Sequence, residues 1–181
     1  MTGKLLSIVC LAVFTFCSCT KQNDVQPIAP TPPTPTAVDT TSVPENHVDR
    51  KALLTLVNGL RSRGCNCGGV PMPPVGPLTW NGLLEKAAYL HSKDMALNNY
   101  FDHNAPNGST PGMRLDAAGY RWNTYGENIA TGNMDEQAVV LGWLNSPGHC
   151  KNMMTAGYTE IGVGRYDKAW TMELGHRNGG Q

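Results

Sequence analysis

Apolar side chains recur every three to four residues in several stretches of this chain, and this spacing predicts amphipathic helices. The pattern is clearest at Leu53, Leu56 and Leu60. Ser146 followed by Pro147 is a typical helix start, because serine caps a helix and proline suits its first position. Helices are predicted at residues 48–63, 81–98, 111–119, 135–144 and 147–153.

The last part of the chain has the two-residue period of β-strands. Ile161 and Val163 share one face of a predicted strand at 158–165. Trp170 and Met172 share one face of the next strand, and the short turn between the two predicts a hairpin. Because helices precede strands without regular alternation, we expect an α+β fold with helices packed on an antiparallel sheet.

Two other segments lack a helical period. Residues 65–77 are rich in glycine and proline and are predicted to form a loop. Residues 125–132, with the sequence YGENIATG, are predicted to be extended.

The first 46 residues do not resemble a folded domain. An apolar run at 5–16 follows a basic start and has the length of a signal-peptide core, short of the roughly 20 residues that span a membrane. The run leads into Phe16-Cys17-Ser18-Cys19, which resembles a bacterial lipobox, so Cys19 is the predicted lipidation site. An ordinary cleaved signal peptide is the alternative.

The segment that follows is rich in proline and threonine and contains few large apolar residues, so we expect a disordered, extended linker. The predicted organisation is a signal peptide at 1–19, a linker at 20–46 and a domain at 47–181. A lipid on Cys19 would hold that domain at a membrane of the cell envelope. The 14 basic and 14 acidic side chains form no basic stripe, so no nucleic-acid partner is expected.

Three cysteines fall within the predicted domain. In an exported protein a disulfide is the first expectation, and Cys65 and Cys67 are too close in sequence to join each other easily. We therefore expect Cys150 to pair with Cys67, with Cys65 as the open alternative. The long loop closed by either pair would contribute about 4 kcal/mol.

Polar residues at the ends of predicted elements are candidates for chemistry. Two imidazoles and a carboxylate that converge would form a plausible divalent-metal site. Each also has a structural interpretation: His149 could bond a loop, Glu127 could accept buried N–H groups, and His91 is expected in the core. The candidates are His103, Glu127, His149, Glu160 and Glu173.

Four motifs occur in a specific order: SKDMALNNYFDH, YGENIATG, GWLNSPGHCKNMM and YTEIGVGRY. Together they resemble the CAP superfamily of cysteine-rich secretory, antigen 5 and pathogenesis-related 1 proteins, in its bacterial branch with sperm-coating-protein-like (SCP) domains. The resemblance covers about residues 50–175. It implies a three-layer α-β-α sandwich.

The resemblance also implies a cleft lined by two histidines and two glutamates, able to hold Zn²⁺ or another divalent metal. His103, Glu127 and His149 match three of these positions, with the histidines as the candidate metal ligands. Ser146 stands where the second glutamate is expected, and a hydroxyl is a poorer zinc ligand. Glu160 is expected to line or brace the cleft.

Three functions remain open from the sequence. The favoured one is an exported, lipid-anchored binding module whose cleft takes a small molecule, lipid, peptide or glycan fragment. The alternative is a metal-dependent hydrolase in which His103 and His149 hold the metal and Glu127 is the general base. The third is a structural protein of the envelope.

Overall fold

The computed structural model describes residues 43–177. The predicted signal peptide, the lipidation site Cys19 and most of the predicted linker lie outside the described residues. Each predicted helix is present, with ends within about two residues of those expected. The helices are α1 (Arg50–Arg63), α2 (Gly82–Leu97), α3 (Pro111–Ala118), α4 (Glu136–Asn145) and α5 (Pro147–Met153).

Four strands form the main sheet, in the order β3-β5-β6-β4. The predicted terminal hairpin is β5 with β6, and the YGENIATG segment is β4, which pairs with β6 antiparallel. The short strand β3 lies parallel to β5. The strands are β3 (Thr79–Trp80), β4 (Thr124–Thr131), β5 (Glu160–Tyr166) and β6 (Ala169–His176).

The prediction of a loop throughout 65–77 was wrong. Cys65–Cys67 (β1) and Val70–Met72 (β2) form a small antiparallel hairpin. Gly68 and Gly69 both have positive φ, as a two-residue hairpin turn requires. The Gly-Gly pair was the signal in the sequence.

One face of the main sheet carries the largest apolar cluster. Ile161 and Val163 of β5 are buried there, as are Trp170, Met172 and Leu174 of β6, so the predicted strand faces are confirmed. Helices α1, α4 and α5 supply the opposing side chains. Those that are fully or almost fully buried are Leu53, Val57, Val139, Val140, Trp143 and Met153.

Helix α2 packs on the other face, which makes the fold a three-layer α-β-α sandwich. It approaches β5 at Gly162 and Gly164, where an added Cβ would collide with the α2 backbone near Glu85 and Tyr89. These two glycines therefore set the distance between helix and sheet. In the described part, residues 43–177, no helix is long and apolar enough to cross a membrane.

Arg61 ties α1 to the segments on both sides of the core. Its guanidinium is buried and donates to the carbonyls of Gly76 at 2.7 Å, Met153 at 2.7 Å and Tyr158 at 3.1 Å. Burial lowers the pKa of Arg61. The contact at Met153 fixes the end of α5, the helix that carries His149.

Asn46 belongs to the folded domain, although the predicted boundary lies one residue later. Its side chain is buried and donates to the Glu85 carboxylate and to the Val163 carbonyl, both at 2.8 Å.

Candidate functional site

Glu127 is the centre of the candidate site. It lies on β4, at the end of the strand order, and is 7% exposed. One carboxylate oxygen contacts His103 Nδ1 at 2.7 Å, and the other accepts from Arg114 Nη2 at 2.6 Å. Its partners are thus side chains of two other segments, rather than the backbone N–H groups considered as an alternative.

The loop after α2 brings His103 to this carboxylate. Asn99 takes a left-handed conformation (φ 53°) just after the helix. Farther on, the Asp102 side chain accepts from the Asn104 N–H at 2.8 Å, which forms a local turn around His103.

Arg114 reaches the site from α3, whose start is set by the Thr110 cap and by Pro111. Besides Glu127, its guanidinium binds the carbonyls of His103 at 2.9 Å and Ser109 at 3.1 Å. Its buried Nε–H has no acceptor among residues 43–177. Arg114 was not among the predicted site residues, because an arginine near the start of a helix usually lies on the surface.

His91 of α2 lies beneath the site and is buried, as expected. Its Nε2 contacts the Asp102 carbonyl at 3.1 Å and lies 4.0 Å from Glu127. Burial lowers the pKa of His91, and this effect exceeds the opposing effect of Glu127. The ring is therefore neutral near pH 7 and supports the loop that carries His103.

Glu173 of β6 is directly opposite Glu127 in the strand register and is completely buried. Neither oxygen has a hydrogen-bond donor within the described part of the chain. Burial and the negative charge of Glu127 raise the pKa of Glu173 well above its ordinary value. Burial therefore favours the neutral form of Glu173, which has a proton that it can donate to Glu127.

The pKa of Glu127 moves the other way. Burial alone would raise it, but hydrogen bonds with His103 and Glu173 and the charge of Arg114 outweigh burial and lower the pKa. The adjacent carboxyl groups thus differ in charge, with Glu127 ionised and Glu173 neutral.

His103 and His149 form the accessible side of the site. The His103 side chain is 49% exposed, and its hydrogen bond with Glu127 raises its pKa. Burial and then the charge of His103 lower the pKa of His149, so the two rings are close enough to interact. The His149 carbonyl also accepts from Asn128 at 3.0 Å, which binds α5 to β4.

The residues do not fit a catalytic zinc centre with three protein ligands. Within residues 43–177, Cys65, Cys67 and Cys150 are the one set of three ligand groups whose atoms come within 4.8 Å of one another. His103 Nδ1 is bonded to Glu127, which leaves His103 Nε2 as the atom that could bind a metal. The candidate metal ligands at this site are therefore two histidines, His103 and His149, and Glu127 supports His103 from behind.

Two other predicted residues have different surroundings. Ser146 is at the N-cap of α5, but its side chain makes no capping bond, so that predicted bond is wrong. Glu160 accepts from Asn81 at 2.8 Å, Tyr120 at 2.7 Å and Arg177 at 2.7 Å. It braces β5 against neighbouring segments and belongs to a separate network from Glu127.

Aromatic groups border the site. Tyr125 lies two residues before Glu127 on β4, and its ring packs edge-on against Trp122 at 4.7 Å. A pocket of about 340 Å³ lies at the end of α2, with Tyr100 and Phe101 in its wall. The Tyr100 hydroxyl contacts His91 Nδ1 at 3.5 Å, so this pocket adjoins the supports of Glu127.

Comparison with known proteins gives consistent results. The model of the cysteine-rich secretory protein family (CAP) matches residues 54–172. A stretch of 100 residues is 39% identical to YkwD, an uncharacterised protein of Bacillus subtilis. That stretch is 54% of this chain and 39% of the relative, so this chain spans well under half of YkwD.

Two solved structures extend the comparison. An extracellular protein of Bacillus anthracis that contains an SCP domain superposes with a TM-score of 0.63 at 37% identity, over 70% of this chain and 40% of that one. An outer surface protein of Borrelia burgdorferi superposes with a TM-score of 0.61 over 71% of this chain and 92% of its own. Its identity of 24% bears on the fold alone.

Proposed function

We propose that this chain, which belongs to the cysteine-rich secretory protein (CAP) family, is an exported, lipid-anchored binding module of the cell envelope. Its ligand would bind at the His103–Glu127–His149 site. The extracellular location of the similar Bacillus anthracis protein and the lipobox-like segment ending at Cys19 support export and anchoring.

The observation that carries this proposal is the state of the Glu127 carboxylate. Both of its oxygens are bonded within the protein, to His103 and Arg114, and its side chain is 2% exposed. A general base must reach the proton that it abstracts, and a side chain this buried is shielded from a ligand even though its oxygens keep further lone pairs. Glu127 is better placed to hold a positively charged His103 toward a ligand.

The ligand chemistry follows from the exposed groups. His103 is half-exposed and its hydrogen bond with Glu127 raises its pKa, so it favours a ligand that supplies hydrogen-bond acceptors. The Trp122–Tyr125 pair and the pocket beside Tyr100 offer aromatic surface for less polar parts. A peptide or glycan fragment carries both kinds of group, and a lipid headgroup carries the acceptors.

Binding is tested by following the imidazole NMR signals of His103 and His149 during titration. The probes are a cell-wall disaccharide–peptide, the same peptide alone and phospholipid vesicles. We expect both signals to shift saturably with at least one probe. The shift of the His149 signal should be lost in His103→Ala and retained in His176→Ala. Shifts confined to other residues, or none with any probe, would contradict the proposed site.

The metal-dependent hydrolase is the second candidate, supported by the proximity of His103 and His149. Calorimetric titration with Zn²⁺ of the protein and of its His103→Ala, His149→Ala variant separates the two functions. We expect no tight one-to-one binding that depends on both histidines. Such binding would favour the hydrolase over the binding module.

Anchoring is a separate claim with its own test. Cells that express the full chain are fed a radiolabelled fatty acid, and Cys19→Ala is compared with Cys17→Ala. We expect label in the parent and in Cys17→Ala, and none in Cys19→Ala. Equal labelling of both variants, or no label in the parent, would refute lipidation at Cys19.

A further inference from the structure

Three cysteine sulfurs meet at the contact between the β1–β2 hairpin and α5. Cys67 and Cys150 are joined in a disulfide. The free Cys65 sulfur lies 3.8 Å from the Cys67 sulfur and 3.7 Å from the Cys150 sulfur. Cys65 and Cys67 are two residues apart on β1, so both project from the same face of that strand.

These distances match the spacing of thiolates around a single metal ion. Zinc thiolate sites give the scale: with zinc–sulfur bonds of about 2.3 Å in tetrahedral geometry, neighbouring sulfurs are about 3.8 Å apart. Two of the three sulfur–sulfur distances already have this value. The third would reach it once the disulfide is reduced and its two sulfurs separate.

The surroundings of the three cysteines are rich in sulfur, and among residues 43–177 no imidazole or carboxylate comes within 4.8 Å of all three sulfurs. Met72 is directly opposite Cys65 in the strand register, and the buried Met154 packs in the same cluster. Leu60, Val75 and Leu144 complete this apolar cluster. Thiolate and thioether ligands are the ones that select copper(I), besides zinc and iron–sulfur clusters.

We propose that Cys65, Cys67 and Cys150 form a copper(I) site when the Cys67–Cys150 disulfide is reduced. Half-buried Cys65 gives the ion access from solvent, while Cys67 and Cys150 are fully buried. The oxidised chain offers one thiol at this place, and the reduced chain offers three. The site is therefore present or absent according to the redox state of the domain.

Formation of the site takes two balanced steps. A dithiol reductant gives two electrons and two protons to the Cys67–Cys150 bond, which breaks into two thiols as the reductant becomes a disulfide. Copper(I) then binds the three sulfurs as thiolates, and three protons pass to solvent. Copper does not change its oxidation state.

The test uses the full chain with Cys10, Cys17 and Cys19 replaced by serine, so that the three clustered cysteines are the remaining ones. The chain is reduced with dithiothreitol, freed of it under nitrogen and titrated with copper(I) against a chromophoric chelator. The controls are the oxidised chain and Cys65→Ser, which keeps the disulfide cysteines. A parallel titration uses Zn²⁺.

We expect one copper(I) per reduced chain and no such binding by the oxidised chain. Cys65→Ser should lower the affinity at least about tenfold, since even the loss of a residue that supports a metal ligand has effects of this size. If reduction unfolds the chain, one equivalent of copper(I) should refold it. Equal affinity in Cys65→Ser, no stoichiometric binding, tighter binding of Zn²⁺, or unfolding without rescue would overturn the proposal.

Discussion

Glu127 of β4 lies directly opposite Glu173 of β6, and the two carboxyl groups carry one negative charge between them. Glu127 keeps its charge because His103 and Arg114 bind it. Glu173 is completely buried and has no cation of its own within the described residues, so it stays protonated. The fold thus holds a neutral acid behind the charged carboxylate of the candidate site.

This pair predicts an unusual pH dependence of stability. The pKa of Glu173 is raised on folding, so its favourable contribution is complete below the unfolded value of 4.5 and is lost as pH rises toward the folded pKa. Glu173→Gln removes this loss of stability at higher pH, because glutamine does not ionise, and it keeps a hydrogen-bond donor for Glu127. By urea unfolding, we expect the stability that the variant gains over the parent to grow as pH rises above 4.5, by up to about 1.4 kcal/mol per pH unit.

Glu160→Gln is the matched control. The pKa of Glu160 is lowered because its bonds with Arg177, Tyr120 and Asn81 outweigh burial. Its contribution is present above the unfolded pKa and is lost as pH falls through the folded one. This variant should therefore be less stable than the parent at neutral pH, with a gap that narrows on acidification. Parallel pH curves for parent and Glu173→Gln would refute the neutral acid.

The contact of α2 with the sheet predicts a large effect of one methyl group. In Gly164→Ala the new Cβ would collide with the backbone of Ala88 and Tyr89, which cannot rotate away. We expect a loss of about 3 kcal/mol or more in the free energy of unfolding.

Gly142→Ala is the comparison for that substitution. Gly142 lies within α4 and has open space around its Cβ position. Alanine there should stabilise by about 0.5–1 kcal/mol, since it favours helix and restricts the unfolded chain. A similar cost at both glycines would refute close packing as the cause.

Arg61 predicts a coupling between the core and the position of α5. Arg61→Met leaves buried carbonyls without their donor, and we expect a loss of about 3 kcal/mol or more in chemical unfolding. The NMR signal of His149 should shift in this variant, because α5 loses its bond at Met153. Arg63→Met, on the exposed side of the same helix, should change stability by about 0.5 kcal/mol or less. Equal effects of the two would contradict the anchoring role.

The cysteine cluster predicts that either hairpin cysteine can close the disulfide with Cys150. Replacing both Cys65 and Cys67 by serine should lower the free energy of unfolding by about 4 kcal/mol. Cys65→Ser alone should change it little, because the Cys67–Cys150 disulfide stays. In Cys67→Ser, a mass map of the non-reduced protein should show a Cys65–Cys150 bond, since these sulfurs are 3.7 Å apart. A free Cys150 in that variant would show that the pairing is specific to Cys67.

The helices and the terminal hairpin were predictable from the sequence, because each follows from the spacing of apolar residues within its own segment. The helical period of Leu53 and Leu56 and the alternation around Val163 placed helices and hairpin correctly. The β1–β2 hairpin was missed because Gly68 and Gly69 were taken as loop residues, although a Gly-Gly pair also fits a tight turn.

The site was only partly predictable. The motifs named His103, Glu127 and His149 as candidates, and the fold brings the first two into contact. The role of Arg114 and the pairing of Glu173 with Glu127 depend on strand register and on the packing of α3, which single residues do not reveal. The need for glycine at positions 162 and 164 was likewise not predictable, because it arises from the close approach of α2 to β5.

The central claim is that Glu127 holds a positively charged His103 beside a neutral His149. The direct measurement is an NMR pH titration of both imidazoles in the protein and in Glu127→Gln. We expect a pKa above 6.5 for His103 and below 6.5 for His149, with the His103 value falling in the variant. Equal values for the two rings, or a His103 value unchanged by Glu127→Gln, would contradict the account.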